Sequence, residues 1–233
     1  MRKKLILSGG VILALVILLV LYAYSNTWGK TDLDVKLHIN DSLVRSSSFG
    51  EPPTFAIWLE NPDTKEIRAV YVTRRAAEGD WEGKTEVPVA LPKWFEARKT
   101  ENGKKNTLGV DAFSGATPKP GYFTAKASLD PGSMWICWIE VNLAGDFNEF
   151  YKGNNVEENE SDKFLSGQPA LLYMAGLNAT VGFKAKPELI GMCVLGAPDG
   201  EIVQPLKGIT TAYKIFDELT ISVVKPKPKI VVK

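Results

Sequence analysis

Hydrophobic and polar residues alternate along several segments of the chain, which is the pattern of strands buried on one face. The alternation is clearest over 32–40, where His38 falls on the polar face. The same pattern, or a short apolar run between turn residues, predicts strands over 54–60, 66–73, 121–127, 134–142, 169–177, 181–185, 189–195 and 216–224. About nine short strands with loops of uneven length predict an all-β fold, an immunoglobulin-like antiparallel β-sandwich. A helical turn entered through proline is expected over 92–98.

The segment 134–142 is apolar at both alternating sets of positions, so we expect it to be a central strand covered on both sides. Trp135 and Trp138 flank Cys137 there and are expected in the core. Cys137 and Cys193 are the two cysteines of the chain, too few for a disulfide-dense scaffold. They either form one disulfide or remain two buried thiols, and the second interpretation is the simpler.

The N-terminal segment 5–24 is uncharged, strongly apolar and preceded by Arg2, Lys3 and Lys4. Its 20 residues are enough for a helix that crosses a membrane, and the basic cluster places its start in the cytoplasm. Tyr22 and Trp28 suit the far membrane interface. A cleaved signal peptide is the alternative, because small residues surround Tyr24 at cleavage spacing, but cleavable apolar regions are shorter.

The chain therefore divides into five parts. They are a cytoplasmic basic stub (1–4), a transmembrane anchor (5–24), a linker (25–31), the β-sandwich ectodomain (32–224) and a basic Pro/Lys tail (225–233). The ectodomain is expected outside the cytosol, in the periplasm or the extracellular space, on a single-pass protein of the cell membrane.

The composition and the absence of common catalytic motifs argue against several classes of function. Lys and Arg (28) nearly balance Asp and Glu (27), which gives no general attraction to nucleic acid. The single histidine, His38, has no predicted catalytic partner, and the sequence lacks the nucleophile-elbow, zinc-protease, phosphate-loop and Cys-x-x-Cys motifs. These features favour a non-catalytic binding module or an accessory subunit of a membrane-associated assembly, with a protein partner at the membrane surface and no bound cofactor.

The most polar excursion, 145–167, is rich in carboxylates and amides. Oxygen ligands such as Asp146, Asn148 and Glu149 could hold calcium, although the spacing does not fit an EF-hand loop. Phe150 and Tyr151 would allow the same loop to bind carbohydrate. A solvated acidic loop without a ligand is the simpler interpretation.

Three stretches together resemble a known family: 56–61 with 67–74, then 110–121, then 138–142. In this order they are similar to bacterial extracytosolic proteins of the domain-of-unknown-function family 2271, over about Phe55–Val141. The resemblance implies a fold like the immunoglobulin-like domain of flagellar hook-capping proteins. It also implies an association of some members with membrane flavin-linked redox proteins. Beyond Asn142 the sequence departs from that pattern.

The stretch 111–117 reads Asp-Ala-Phe-Ser-Gly-Ala-Thr and is also similar to the FMN-attachment motif of FMN-binding domains. That resemblance implies FMN held through a phosphoester at Thr117, a turn shaped by Ser114 and Gly115, and recognition at Asp111. It therefore gives a second function of a different class, an extracytosolic electron carrier. Pro118 and Pro120, which follow, instead predict a stiff, extended entry into the next strand.

Overall fold

The computed structural model describes residues 13–22, 28–74, 76, 90–102, 113–115, 118–152, 167–193 and 200–227. After residue 28, the described part of the chain contains eleven strands, two short helices and one 3₁₀ turn. The strands are β1 (Thr31–Ile39), β2 (Thr54–Glu60), β3 (Ile67–Thr73), β4 (Phe113–Gly115), β5 (Gly121–Leu129), β6 (Met134–Asn142), β7 (Ala170–Asn178), β8 (Lys184–Ala185), β9 (Glu188–Cys193), β10 (Ile202–Val203) and β11 (Phe216–Val224). The helices are α1 (Asp41–Ser46) and α2 (Pro92–Asn102), and the 3₁₀ turn is Ala212–Lys214.

These strands form two sheets. One has four strands in the order β5-β1-β11-β8, and the other has seven in the order β10-β9-β7-β6-β2-β3-β4. The inward side chains of β1, β2, β6, β7 and β11 meet in one apolar cluster, in which Leu37, Phe55 and Ile139 are fully buried. The two sheets therefore pack face to face, and the predicted all-β sandwich is confirmed. Each of the nine predicted strands overlaps an observed one, although 181–185 is strand only at Lys184–Ala185 and residues 194–195 lie outside the described part of the chain.

One strand pair differs from the predicted antiparallel arrangement. β4 runs parallel to β3, with Tyr71 opposite Phe113 and Thr73 opposite Gly115. The chain leaves β3, passes through α2 and returns in the same direction, which is the kind of long crossover that a parallel pair requires. The two sheets are antiparallel, as predicted, apart from this one parallel pair at the edge of the seven-stranded sheet.

A third layer covers the outer face of the seven-stranded sheet. Trp94 of α2 is buried and packs against Trp58 of β2, with 5.5 Å between ring centroids. Trp58 in turn stacks on Trp138 of β6 at 6.1 Å. Because the sheet-to-sheet core lies against its other face, β6 is covered on both sides, as its sequence predicts.

The two cysteines are free thiols on opposite faces of this sheet. Cys137 lies in the core between the sheets, whereas Cys193 lies in the apolar cluster beneath α2, and both side chains are fully buried. This arrangement agrees with the buried-thiol interpretation.

An apolar helical segment precedes the sandwich. Residues 13–22 are helical, and the large apolar side chains from Leu13 to Leu21 are exposed, at 49–62% of their full area. In the part of the chain that the structure describes, no helix is long and apolar enough to cross a membrane. The predicted anchor (5–24) extends past the described segment on both sides.

The strand register gives the sandwich two distinct ends. At the proximal end, β1 begins at Thr31 opposite Leu129, and its second residue lies opposite Val224. At the distal end, Ile39 lies opposite Gly121 and Phe216. The proximal end comprises residues 28–30, 130–133, 179–182 and 225–227. The distal end comprises α1, residues 143–152, residues 167–169, and residues 204–215 with the 3₁₀ turn.

Candidate functional site

A buried glutamine organises the distal end. Gln168 accepts a hydrogen bond on Oε1 from the Thr210 backbone N–H at 2.7 Å, and its Nε2 donates to the Thr211 hydroxyl and to the Asp146 carbonyl. Its side chain is 1% exposed. These bonds tie the segment after β6 to the segment before β11, so two surface loops are held as one rigid platform.

Asp146, one of the predicted calcium ligands, is part of this platform. Its Oδ1 accepts a hydrogen bond from the Thr211 hydroxyl at 2.7 Å, while its buried Oδ2 has no hydrogen-bond partner among the described residues. Burial raises the pKa of Asp146, and the bonds from Thr211 and Gln168 only partly offset this effect. A proton or a cation at Oδ2 would satisfy the oxygen.

The other two predicted calcium ligands lie in different surroundings. Asn148 donates through its amide to the Gly208 carbonyl at 2.8 Å, and its Oδ1 accepts the backbone N–H groups of Phe150 and Tyr151. Glu149 is exposed to solvent. Among the described residues, no group of three or more His, Cys, Asp or Glu side chains could hold a metal ion. The calcium site stays a prediction, and most of its loop lies outside the described residues.

Exposed aromatic side chains surround this platform. Phe49, Phe150, Tyr213 and Tyr122 are exposed at 39%, 59%, 48% and 79% of their area. Phe150 and Tyr213 belong to the distal end, Phe49 follows α1, and Tyr122 lies at the start of β5, which is its distal terminus. Tyr151 is anchored instead, because its hydroxyl donates to the Lys207 carbonyl. Large exposed rings on a rigid support are typical of protein-binding surfaces. We call these four side chains the distal aromatic surface.

The described part of the predicted FMN motif, 113–115, forms the edge strand β4 of the seven-stranded sheet. Ser114 and Gly115 lie in β4, the last strand in that sheet's order, beside Val72 and Thr73 of β3. Asp111 and Thr117 lie outside the described residues. Gly121, where the stretch ends, starts β5 at a φ of 113°, a conformation that favours glycine. The stretch thus connects one edge of each sheet, and β5 begins directly after Pro118–Pro120, as predicted.

His38 lies on the polar face of β1, as its position in the alternation predicts. Its Nδ1 is 3.0 Å from Oδ2 of Asp217, whose other oxygen accepts the Asn40 amide at the same distance. The imidazole also meets the ring of Tyr122 edge to face, with 4.5 Å between centroids. This contact holds the exposed Tyr122 ring against His38, the residue opposite it on β1.

A second buried carboxylate, which the sequence does not single out as a site, lies beneath α2. Glu140 of β6 is fully buried and accepts the backbone N–H groups of Lys93 at 3.1 Å and Trp94 at 2.7 Å. Burial raises its pKa to about 7, while the two backbone bonds and the Cys193 thiol favour the charged form. A carboxylate at the first turn of a helix satisfies N–H groups that have no partner within the helix.

Sequence reasoning did not find Gln168, Thr211 or Glu140. The sequence offers one signal, a carboxylate at 140 within a strand that is otherwise apolar on both faces. Comparisons with known protein families, curated proteins and solved structures return no match for this chain.

Proposed function

We propose that this protein is a membrane-anchored, extracytosolic β-sandwich of the immunoglobulin-like kind. In this proposal it acts as a non-catalytic binding module or an accessory subunit of a membrane-associated assembly. Its N-terminal segment holds it at the membrane, and the distal aromatic surface receives a protein partner.

The observation that carries the proposal is the exposed apolar segment. Side chains from Leu13 to Leu21 leave about half or more of their area uncovered by the rest of the protein. A continuous apolar surface of this kind is costly in water and marks a membrane or protein contact. The chain then enters the sandwich at the proximal end, which leaves the distal end facing away from the anchor.

The distal end fits the binding role. Asn148 fixes the backbone of Phe150 by hydrogen bonds, and the Tyr122 ring packs against His38. Little conformational entropy is therefore lost when a partner covers these two rings. Tyr213 also borders a groove of about 460 Å³ that includes Lys186 and Glu188, which adds charged groups of both signs next to the aromatic surface. Aromatic residues with mixed charges at the margin are the usual composition of a non-obligate interface.

Site-specific photo-crosslinking in the native cells tests the proposal. A benzophenone side chain at Phe150 or Tyr213 is expected to capture a membrane-associated protein. The same group at Lys126, on the outer face of the four-stranded sheet, is the matched exposed control. Equal capture from all three positions, or capture from none, would count against a distal binding surface. Release of the chain from membranes by alkaline carbonate would count against the anchor.

A second candidate function is covalent FMN at Thr117, which would make the protein an extracytosolic electron carrier. It is favoured by the place of Ser114 and Gly115 in a terminal strand, because loops at a sheet edge are accessible to a modifying enzyme. The test is in-gel flavin fluorescence after co-expression with a flavin transferase. A fluorescent band in the wild type and in Thr124→Val, an exposed position outside the motif, but not in Thr117→Val, is expected. A dark wild-type band with unmodified Thr117 by mass spectrometry would eliminate this function.

A further inference from the structure

The proximal end of the sandwich carries an exposed apolar groove that no proposed partner site uses. The groove encloses about 480 Å³ and is lined by Trp28, Pro131, Thr180, Val181, Lys225 and Pro226, among others. Trp28 is 84% exposed and Val181 53% exposed. These residues come from four separate parts of the chain that meet only because the strands end together here.

The groove is tethered close to the apolar helical segment. Five residues, 23–27, separate the end of the segment at Tyr22 from Trp28. Six Cα–Cα steps reach at most about 22 Å when fully extended. If residues 13–22 belong to a membrane anchor, the groove therefore cannot lie far from the bilayer surface.

The charges at this end suit an anionic surface. Lys225 and Lys227 are exposed, and no ion pair to either is found within the part of the chain that the structure describes. Lys30 is paired with Asp130 on the same end, so this pair adds no net charge. Tryptophan with neighbouring lysines is the usual composition of a protein surface at the headgroup region of a membrane.

We propose that the proximal groove docks onto the anionic lipid headgroups of the membrane that holds the anchor. Trp28 and Val181 enter the interface, while Lys225 and Lys227 contact lipid phosphates. This docking fixes the orientation of the sandwich and points the distal aromatic surface away from the bilayer. The inference rests on the anchoring proposed above.

The test uses the full chain reconstituted into vesicles of phosphatidylcholine alone or of phosphatidylcholine and phosphatidylglycerol in equal parts. An environment-sensitive fluorophore is attached at Val181→Cys, and Tyr122→Cys is the matched control at the exposed distal end. Both native cysteines are buried, so labelling is specific to the introduced thiol. We expect blue-shifted emission and quenching by brominated lipid at position 181 in the anionic vesicles, and water-like emission at position 122.

The lysines provide a second measurement. With Lys225→Gln and Lys227→Gln together, the equilibrium constant for docking, followed at position 181, is expected to fall about fivefold per lysine on anionic vesicles and to change little on neutral ones. Docking that is equal on both vesicle types in the wild type would overturn the role of anionic lipid.

Three other outcomes are distinguishable. If the protein resists carbonate extraction but position 181 reports water, docking is overturned and the anchor stands. If carbonate extracts the protein, the anchoring of the proposed function fails. If the label at 181 is shielded from iodide in detergent and becomes accessible when residues 228–233 are deleted, the groove holds the chain's own C-terminal tail and docking is overturned.

Discussion

Glu140 is a buried carboxyl group, and its ionisation is unfavourable because a buried charge loses its hydration. It is fully buried between β6 and the start of α2, and desolvation raises its pKa to about 7. In return it accepts the Lys93 and Trp94 backbone N–H groups, which would otherwise be buried without partners. The residue therefore fixes where α2 meets the sheet, and its protonation must be coupled to the stability of the fold.

The sign of that coupling follows from the raised pKa. The folded protein keeps a proton on Glu140 from its ordinary pKa of 4.5 up to about 7, whereas the unfolded chain releases it. This contribution to stability is therefore fully present below pH 4.5, decreases as the pH rises to 7, and is constant above. We expect a loss of roughly 3 kcal/mol over that window. Urea unfolding of the wild type at a series of pH values measures it.

The matched variant for this prediction is Glu140→Gln, which keeps the side chain's size and one acceptor but cannot titrate. Its stability should not show the Glu140 part of the pH dependence, while other groups such as Asp146 still contribute. Parallel pH curves for the two proteins would show that the Glu140 pKa is not raised on folding.

Asp146 permits a direct test of the calcium hypothesis. Its buried Oδ2 has no hydrogen-bond partner among the described residues, whereas Oδ1 is held by Thr211. Under this hypothesis millimolar calcium raises the melting temperature of the wild type, because a ligand that binds only the folded state stabilises it. Asp146→Asn keeps an acceptor for Thr211 and should abolish the shift. A wild-type melting temperature that is the same in calcium and in EGTA would rule the site out.

At the scale of elements, α2 depends on a close approach of the chain before β10. Gly200 has a φ of 56°, and a Cβ placed on it would lie 2.7 Å from the Lys93 Cα and 2.9 Å from the Pro92 carbonyl oxygen. A side chain there would push the first turn of α2 away from Glu140. Position 200 therefore requires glycine for two reasons, its backbone conformation and the space beside it.

We expect Gly200→Ala to destabilise the protein by about 2–5 kcal/mol, because left-handed strain of about 1–2 kcal/mol adds to overpacking of about 1–3 kcal/mol. Gly50→Ala is the control, because Gly50 has a similar φ of 62° with no atom within 4 Å of an added Cβ. Gly50→Ala should lower the free energy of unfolding only by the left-handed strain of about 1–2 kcal/mol. Urea unfolding of both variants gives the difference, and equal losses would contradict a packed contact at Gly200.

The predictability of the elements depends on the length of their patterns. β2 and β6 have the predicted bounds because each buries several apolar residues in register, and the hairpin turn at Asn61–Pro62 joins β2 to β3 as expected. The three-residue β4 and two-residue β10 carry too few positions for any periodicity. α2 is longer than its predicted turn, because it is stabilised by Trp94 packing on the sheet rather than by its own sequence.

The contacts of the candidate site could not be predicted in this way. Thr211 is 65 residues from Asp146, and Trp94 is 46 residues from Glu140. The alternation of polar and apolar residues predicts which face of a strand a residue occupies. It does not predict which distant residue that side chain contacts. It could place His38 on a polar face but not beside Asp217.

At the scale of the whole molecule, the two ends of the sandwich differ in chemistry. The proximal end presents Trp28, Val181 and two exposed lysines, and five residues of chain separate Trp28 from the apolar N-terminal segment. The distal end presents exposed aromatic rings on a hydrogen-bonded platform. β1 and β5, with nine residues each, run from one end to the other and so separate the ends by about 25 Å. Binding at one end therefore need not disturb contacts at the other.

We expect the sandwich between these ends to unfold in a single cooperative transition. The reactivity of its two cysteine thiols can measure whether it does. Cys137 lies between the sheets and Cys193 beneath α2, so the two sample different layers of the same fold. Both are fully buried, and burial raises the pKa of Cys137 to about 12 and that of Cys193 even further. Because the thiolate is the reactive form, neither should react in the native state.

We therefore expect a maleimide to modify neither cysteine in native buffer and both in denaturant, with a common midpoint that matches unfolding followed by fluorescence. Mass spectrometry of each cysteine-containing peptide along a urea series is the measurement, and Val181→Cys is the control for a thiol that reacts at once. If Cys193 became reactive at lower urea than Cys137, α2 would leave the sheet before the two sheets separate. The outer layer would then be a separate unit, rather than part of one cooperative fold.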